Sequence, residues 1–289
     1  MLDTNILSAR DLIDTEKYPI DDLDSPAGTR LLEQCHEALE NKALCALHEF
    51  VRPRAVKLMN EEAVPLVKFA PYRNENGPFG YVSDRSQQWP DGHPKRTPIP
   101  NRYRQVLNHH IPNDSLIRKL YLWSPLTEFV RRVFGASTLY RSQCPHLSLT
   151  MKVAGEGDTD GWHYDPNDGV VSLLLQKPDQ GGQFEYAPYL RTKSDERWDD
   201  VAHLFANPEK LAQRPRMEAG TFVFFNGNLS MHRVIPVGVT AKPRMIALLS
   251  YDQRPDQVFG QGYINHLRSF PADAVEQRAG APAVATASA

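Results

Sequence analysis

The sequence predicts a mainly β protein with flanking helices (α+β), in which a β sandwich or barrel follows a helical N-terminal support. Helical apolar patterns fill the first half of the chain, and short apolar runs separated by turn residues begin at residue 139. Hydrophobic residues make up 41% of the 289 residues, enough for one large core. We therefore expect a single domain over residues 1–270, with helical support over 25–135 and the β core over about 139–255.

The helical support is predicted from apolar residues at helical spacing. Ser25 and Pro26 open a first helix, and the apolar run ALCAL after it predicts a buried strand. Arg52 and Pro53 can start another helix, and two further helical stripes lie within residues 116–133. Between them, residues 71–105 are rich in proline, glycine and arginine without a sustained period, which predicts a long ordered loop or lid.

The β core is predicted from seven short runs that are rich in β-branched, aromatic and aliphatic residues. These runs are LYRSQ, HLSLTMKVA, GVVSLLLQ, QFEYAPYL, TFVFF, HRVIPVG and PRMIALLSY. A polar insert at residues 192–217 predicts a helix and loops. After residue 271 the small residues of AGAPAVATASA cannot bury enough surface to become ordered, so we expect residues 271–289 to form a disordered tail.

Charge and cysteine content limit the class of partner. The formal net charge of -2 gives no overall attraction to nucleic acid or to an anionic membrane. Three cysteines without CxxC spacing fit neither a disulfide framework nor a zinc ribbon, and they favour a reducing compartment. No long apolar stretch and no basic leader are present, so we expect a cytoplasmic protein without a nucleic-acid or membrane partner. Whether it forms a homodimer stays open.

Residues 161–186, GWHYDPNDGVVSLLLQKPDQGGQFEY, contain the only histidine that is followed two positions later by a carboxylate. Residues i and i+2 of an extended chain project to the same side, so His163 and Asp165 can supply two metal ligands from a strand end. This short motif is unspecific by itself. His232 follows a buried strand and an Asn-Gly-Asn turn, and it is the candidate third ligand. Two histidines and one carboxylate leave three positions open on a first-row metal.

Arg244 begins the strand RMIALLSY, twelve residues after His232. By strand alternation its side chain shares a face with Ile246, Leu248 and Ser250. An arginine that faces the interior of a barrel needs an anion, and a dicarboxylate co-substrate held by the forked guanidinium would satisfy it.

Three motifs follow one another in a fixed order: HxD, then a histidine in H-x-V-x-P-V about seventy residues later, then an arginine twelve residues further on. This order resembles that of the Fe(II)/2-oxoglutarate-dependent dioxygenases. The resemblance covers residues 140–252, and the upstream NKALCALHEFV is similar to the strand and helix that precede the core in prolyl-hydroxylase-like members. SLLLQKPDQGGQFEY is most similar to bacterial enzymes that hydroxylate or halogenate free amino acids. Many relatives carry a glycine before the arginine, whereas Pro243 stands here.

The resemblance implies a double-stranded β-helix, a cupin-like jelly roll, with Fe(II) held by His163, Asp165 and His232 at one mouth. It implies that Arg244 binds 2-oxoglutarate and that dioxygen is the other reactant. The expected reaction hydroxylates an unactivated C–H bond of a small polar substrate, a free amino acid or derivative, and releases succinate and carbon dioxide. Radical halogenases of the superfamily replace the carboxylate ligand by a small residue, so Asp165 favours hydroxylation.

Further polar residues are candidates for contacts in such a pocket. Strand residues that could reach the 2-oxoglutarate carboxylates are Arg141, Ser148, Thr150 and Ser250, although cross-strand hydrogen bonds explain them equally well. Candidates for substrate contacts are Asn167, Asp168, Glu185, Arg102, Tyr103 and Trp162. Glu185 could meet a substrate ammonium and Arg102 a carboxylate, but solvated surface charge is the alternative for both.

Three alternative functions stay open at this point. The same iron site could catalyse desaturation, epoxidation or cyclisation, or it could oxidise a protein side chain or a nucleobase. The lack of a concentrated basic stripe with interleaved aromatic residues argues against nucleobases. A cupin-like metal-binding sensor without turnover is the third alternative, and Arg244 argues against it because a pure metal binder needs no dicarboxylate anchor.

Overall fold

The computed structural model describes residues 7–78, 88–166 and 170–274. Within this part of the chain eleven strands are present. Their bounds are β1 (Leu44–Leu47), β2 (Tyr72–Pro78), β3 (Pro98–Val106), β4 (Tyr140–Arg141), β5 (Leu149–Ala154), β6 (Thr159–His163), β7 (Val170–Gln176), β8 (Phe184–Ala187), β9 (Phe222–Phe225), β10 (Met231–Val234) and β11 (Arg244–Asp252). Each of the seven predicted β runs therefore contains a strand.

All strand pairs are antiparallel and belong to one continuous sheet. The spatial order is β1-β9-β7-β11-β5-β3-β6-β10-β8, with β2 added to β3 and β4 added to β11. The sheet curls back on itself, because residues near its two ends are in contact. The Phe225 ring on β9 lies 5.3 Å from the Phe184 ring on β8 and 4.9 Å from the His232 ring on β10.

The helices of the described residues are α1 (Ala9–Leu12), α2 (Pro26–Lys42), α3 (Pro53–Ala63), α4 (Leu116–Leu122), α5 (Ser124–Val133), α6 (Trp198–Ala206), α7 (Pro208–Leu211) and α8 (Gln261–Ser269). The predicted starts of α2 and α3 are confirmed. Pro26 and Pro53 occupy the first helical turns, where a missing amide hydrogen costs nothing, and Ser25 Oγ accepts a hydrogen bond from Gly28 N at 3.1 Å. None of these helices combines the length and apolar character needed to span a bilayer.

The two faces of the sheet have different roles. One face packs against α2 to α5 and forms the main hydrophobic core, to which β5, β7, β9 and β11 contribute alternate residues such as Met151, Leu173, Phe224 and Ala247. The opposite face lines the inside of the roll and carries polar side chains, among them Lys152 and Arg244. Strand alternation thus separates the apolar residues that hold the helices from the polar residues that line the interior.

Residues 71–105 differ from the long loop that the sequence predicts. β2 and β3 pair from Tyr72 opposite Arg104 to Pro78 opposite Pro98, and residues 79–87 between them lie outside the described residues. β3 alternates buried and partly exposed residues, which is the pattern of a strand. The prolines and the polar identity of the buried residues conceal this period in the sequence.

The structure describes the predicted insert completely but only the first residues of the predicted tail. The insert at 192–217 contains α6 and α7, as predicted, and α6 packs on the outside of the roll against Trp162. Beyond the predicted core, α8 packs Ile264 and Leu267 against Leu107. Pro271 O accepts a hydrogen bond from Tyr72 N at 2.7 Å, and residues 275–289 lie outside the described residues, so the disordered tail stays a prediction.

Candidate metal centre

His163 and His232 lie directly opposite each other on the neighbouring strands β6 and β10. Their ring centroids are 4.1 Å apart, and both side chains are buried. Antiparallel pairing with this register places the two imidazoles side by side on the inner face of the roll.

The Nδ1 atom of each imidazole is held by a backbone carbonyl. His163 Nδ1 lies 2.6 Å from Gly161 O and His232 Nδ1 lies 3.0 Å from Ser230 O. A carbonyl oxygen only accepts, so both Nδ1 atoms carry a hydrogen, and Nε2 is the ring nitrogen through which each histidine would bind a metal. Burial, and next the neighbouring His232, lower the pKa of His163 to about 4, so this imidazole is neutral near pH 7.

Asp165 reaches the same point from just beyond the end of β6. Its backbone N donates to Gly227 O at 3.0 Å, and its Oδ1 lies 3.5 Å from His232 Nε2. A Cβ on Gly227 would stand 1.9 Å from Asp165 Oδ2, so the turn before β10 must carry glycine for the carboxylate to fit. Burial alone would raise the pKa of Asp165, but His232 and His163 outweigh it and leave the pKa below its ordinary value.

One ligand atom from each of His163, Asp165 and His232 lies within 4.8 Å of the others. Two imidazole nitrogens and one carboxylate oxygen come together there, which is a donor set suited to a first-row metal such as iron. In the part of the chain that the structure describes, this is the only such group of histidine, cysteine and carboxylate side chains. The structure thus brings together the three residues that the sequence proposes as ligands.

A β-bulge adds a second carboxylate to the centre. Between the paired positions His163–His232 and Asp160–Val234, β6 has three residue steps and β10 has two. The extra residue reverses the alternation, so Asp160 and His163 share the inner face although they are three residues apart. Asp160 Oδ2 lies 4.0 Å from His163 Nε2.

Asp160 belongs to a buried network of charged and aromatic side chains. Lys152 Nζ on β5 lies 2.5 Å from Asp160 Oδ2 and 4.5 Å from the centre of the Tyr103 ring on β3. Arg73 Nη1 on β2 donates to Tyr103 Oη at 2.9 Å. Burial opposes the charge on Lys152, yet Asp160 outweighs it and raises the pKa of the ammonium above its usual range. The inner wall beside the metal centre is therefore ionic.

Arg244 lies on the same inner face, opposite Ala154 of β5. Its residue surface is 6% exposed, and among the described residues no carboxylate lies within ion-pair distance of its guanidinium. Burial lowers the pKa of Arg244 to about 10, so the guanidinium still carries its charge near pH 7. A buried cation without a protein counter-ion is the arrangement that the predicted anion site requires.

The other residues predicted to bind the co-substrate are spread along the sheet. Thr150 shares the inner face and accepts a hydrogen bond from Gln105 Nε2 at 3.4 Å. Ser148 and Ser250 pair with each other near the far end of β11, roughly 20 Å from Arg244 at strand spacing. Arg141 turns toward the helices, where its Nη1 donates to Thr127 Oγ1 at 3.0 Å. The structure thus does not bring Arg141, Ser148 and Ser250 to Arg244.

Most of the predicted substrate contacts also lie away from the metal centre. Glu185 faces the outside of β8 and is fully buried between Arg214 and Arg233, which occupy its two carboxylate oxygens. Arg102 Nε donates to Gly157 O at 3.2 Å. The Trp162 ring stacks on Phe205 of α6 at 6.3 Å, so it too faces outward.

The remaining candidates divide between the pocket and the part of the chain not described. Tyr103 is buried in the ionic wall next to Lys152. Asn167 and Asp168 lie outside the described residues. Lys152, Asp160 and Asn101 of the wall are not among the site residues that the sequence predicts, although the charged Lys152 within the apolar run LTMKVA indicates an inward-facing ionic group.

A match to a protein-family profile shows to which family the chain belongs. The profile of the halogenase D family (HalD) matches residues 79–260, which is more than half of the chain. The chain belongs to the halogenase D family. No curated protein sequence gives a significant match. The match to HalD and the roll described above confirm the resemblance to Fe(II)/2-oxoglutarate oxygenases that the HxD, His232 and Arg244 motifs predict.

Solved structures share the fold of this HalD member at low sequence identity. The carbocyclase SnoK from nogalamycin biosynthesis gives a TM-score of 0.54 with 14% identity, over 85% of this chain and 93% of that chain. The epimerase SnoN, solved with Fe3+, alpha ketoglutarate and nogalamycin RO, gives 0.52 with 15% identity, over 86% and 93%. EctD from S. alaskensis, solved with 2-oxoglutarate and 5-hydroxyectoine, gives 0.50 with 18% identity, over 80% and 79%. These matches confirm the predicted jelly roll.

Proposed function

We propose that this chain is an Fe(II)- and 2-oxoglutarate-dependent hydroxylase of a small polar substrate, a free amino acid or derivative. It uses dioxygen and releases succinate and carbon dioxide. The observation that carries the proposal is the convergence of His163, Asp165 and His232 on one inner face that also holds Arg244. Arg244 is a buried cation with no carboxylate within ion-pair distance among the described residues.

The residues present fit the groups that this reaction needs. His163, Asp165 and His232 would hold Fe(II), because each offers one ligand atom within 4.8 Å of the other two. Arg244 would bind the distal carboxylate of 2-oxoglutarate through its forked donors. When bound, iron with 2-oxoglutarate and dioxygen supplies the oxidising power that no side chain has.

The chain itself contributes orientation and a shielded site. The carbonyls of Gly161 and Ser230 hold the two imidazoles by Nδ1, which keeps the Nε2 atoms directed at one point. The rings of Phe184 and Phe225 pack beside His232 and exclude water from that side. The ionic wall of Lys152 and Asp160 remains available for polar groups of a substrate.

Asp165 supports hydroxylation rather than halogenation within the halogenase D family. Its carboxylate fills the ligand position that a small residue leaves open for chloride in radical halogenases. Only glycine at position 227 leaves room for this carboxylate, which supports a ligand role for Asp165. Desaturation, epoxidation and cyclisation need the same three ligands, and the mass of the product separates them from hydroxylation.

The proposal is tested by turnover of the reconstituted protein. Protein loaded with Fe(II) without air is mixed with 2-oxoglutarate, dioxygen and a panel of amino acids, and succinate is quantified. We expect amino-acid-stimulated succinate and a product heavier by about 16 mass units, the mass of one oxygen atom. An absence of succinate with every member of the panel would contradict the enzyme proposal and favour a metal-binding sensor.

Variants assign the roles in the same assay. His163→Ala and Asp165→Ala are each expected to remove most of the iron-dependent turnover. Arg244→Ala is expected to raise the 2-oxoglutarate concentration needed for half-maximal turnover by about 100-fold, the order of a lost charge-assisted contact. Arg141→Ala is the matched control, since its guanidinium faces the helices. An equal effect of the two arginine variants would refute the anchor.

A further inference from the structure

Two residues on opposite positions of neighbouring strands each carry a buried acceptor oxygen that has no hydrogen-bond partner among the described residues. Asn101 on β3 lies directly opposite Asp160 on β6. Asn101 is 4% exposed and Asp160 is 7% exposed. Asn101 Oδ1 and Asp160 Oδ1 have no hydrogen-bond partner in the part of the chain that the structure describes. Buried polar atoms are nearly always paired, so this pair of oxygens points to a ligand.

The orientation of both groups is determined by their other contacts. Asn101 Nδ2 donates to Ile99 O at 3.4 Å, and a carbonyl can only accept, so the amide must present its oxygen on the opposite side. Asp160 Oδ2 is taken by Lys152 Nζ, which leaves Oδ1. Both free atoms are therefore acceptors.

These acceptors stand beside the metal centre. The carboxylate of Asp160 lies 4.0 Å from His163 Nε2, measured from its other oxygen Oδ2. The β-bulge in β6 is what turns Asp160 to this side, and Gly161 within the bulge leaves no room for a side chain, because a Cβ there would stand 2.4 Å from Ile99 Cγ2. A group bound by Asp160 and Asn101 would thus hold the rest of a small molecule near the iron ligands.

The chemistry of two adjacent acceptors selects the group that fits. A carboxylate or phosphate has no donors and would be repelled by Asp160. A hydroxyl offers one hydrogen and can satisfy only one of the two oxygens. A protonated primary amine offers three hydrogens and a positive charge, so it can bind both oxygens at once.

We propose that Asp160 and Asn101 bind a protonated amine of the substrate and thereby determine which molecules are oxidised. This inference rests on the proposed hydroxylase function, and it identifies the substrate as an amine through residues on the inner wall. Lys152 has a positioning role, since its ion pair with Oδ2 holds the Asp160 carboxylate in place and leaves Oδ1 for the amine.

Binding without turnover tests the amine directly. The full chain is loaded with Fe(II) and 2-oxoglutarate in the absence of dioxygen. Each of the twenty protein amino acids is titrated by calorimetry, beside the carboxylic acid of the same carbon skeleton that lacks the amine. We expect at least one amino acid to bind, with its des-amino partner weaker by about 10-fold or more, the order of a charge-assisted hydrogen bond. Equal binding within every pair, or no binding of any amine, would overturn the proposal.

Three variants locate the effect on the wall. Asn101→Ala removes one acceptor and leaves the Lys152 ion pair intact. Asp160→Asn is combined with Lys152→Met, because a single change would leave an unpaired buried charge and could unfold the chain. Glu185→Gln is the control, since it changes a buried carboxylate on the outer face of β8.

We expect Asn101→Ala and the double variant to weaken amino-acid binding by about 10-fold or more, while the affinity for 2-oxoglutarate and the bound iron stay unchanged. Glu185→Gln should bind like the unmodified protein. Unchanged amino-acid binding by both wall variants would mean that water alone satisfies the two oxygens, and it would overturn the proposal.

The outcomes separate this inference from the proposed function. Amine-dependent binding without succinate after admission of dioxygen would contradict the hydroxylase and leave the amine site standing. Succinate formation that is equally well stimulated by des-amino compounds would leave the hydroxylase standing and remove the amine site.

Discussion

Gly227 controls the position of a metal ligand without being one itself. A Cβ at this position would overlap Asp165 Oδ2, and the backbone of Gly227 also holds Asp165 through its carbonyl. We expect Gly227→Ala to move the carboxylate and to weaken metal binding by about 10- to 100-fold, the usual cost of disturbing the support of a ligand. Calorimetric titration of the metal-free protein with Co(II) measures the change.

Gly262→Ala is the matched control for this substitution. A Cβ at Gly262 meets nothing within 4 Å, so its metal affinity should equal that of the unmodified protein. If Gly227→Ala bound Co(II) as tightly as the control, Asp165 would not be a ligand in its observed position.

At the residue scale, sequence patterns identify the ligands but miss the wall beside them. His163 and Asp165 are predictable because two positions along an extended chain share a side, and His232 and Arg244 because their spacing is shared with a known family. Asp160 is not predictable, because strand alternation alone assigns it to the face opposite His163 and only the bulge reverses this. Glu185 illustrates the same difficulty, since alternation does not say which face of β8 is the inner one.

At the scale of elements, the insert helix α6 depends on two apolar side chains that pack against the outside of the roll. Val201 and Leu204 are fully buried in the cluster that contains Trp162. We expect Leu204→Ala to lower the free energy of unfolding by about 2–5 kcal/mol, because the cavity cannot fully collapse. Urea denaturation followed by circular dichroism gives the value.

Leu211 on α7 provides the control within the same insert. It is 47% exposed, so Leu211→Ala should change the free energy of unfolding by no more than about 0.5 kcal/mol. Similar losses for the two leucines would show that α6 does not pack as described.

A hydrogen bond to a side chain of α3 caps the start of α4. Glu62 Oε2 on α3 accepts a hydrogen bond from Leu116 N, at the first residue of α4, at 2.8 Å. The carboxylate thus satisfies one of the amide groups that a helix start leaves open. We expect Glu62→Ala to cost about 0.5–2 kcal/mol of stability in urea denaturation. Glu61→Ala, next to it and exposed, should cost clearly less, and the reverse order would contradict this junction.

Helices and strands are predictable from the sequence where apolar residues recur at a regular spacing, and they are not predictable where polar residues line the inside of the roll. The helices α2 to α5 and the apolar strands β5, β7, β9 and β11 follow from spacing alone. The sequence does not predict β3, because the inward side of this strand carries Asn101, Tyr103 and Gln105 instead of aliphatic residues. The positions of Ser148 and Ser250 depend on strand register, which sequence alternation cannot supply.

At the scale of the whole molecule, a bound metal should stabilise the folded chain, because the three ligands come together only when β6 and β10 are paired. Binding to the folded state alone raises the free energy of unfolding by about 2.7 kcal/mol at a metal concentration 100 times the dissociation constant. We expect saturating Co(II) to raise Tm by about 5 °C in a thermal melt, with the increase reversed by a chelator.

His232→Ala should abolish this increase, whereas His203→Ala on the exposed side of α6 should retain it. A shift that persisted in His232→Ala would place the metal elsewhere on the protein.

The pairing of β6 with β10 has a consequence for how the molecule is made. All the residues of β7, β8, the insert and β9 must be synthesised before His232 can meet His163. Contacts so distant along the chain form slowly, since a large loop must first be closed. A nascent chain released before β10 should therefore be unable to retain iron, and the appearance of tight metal capture during refolding would report the moment at which β10 pairs with β6.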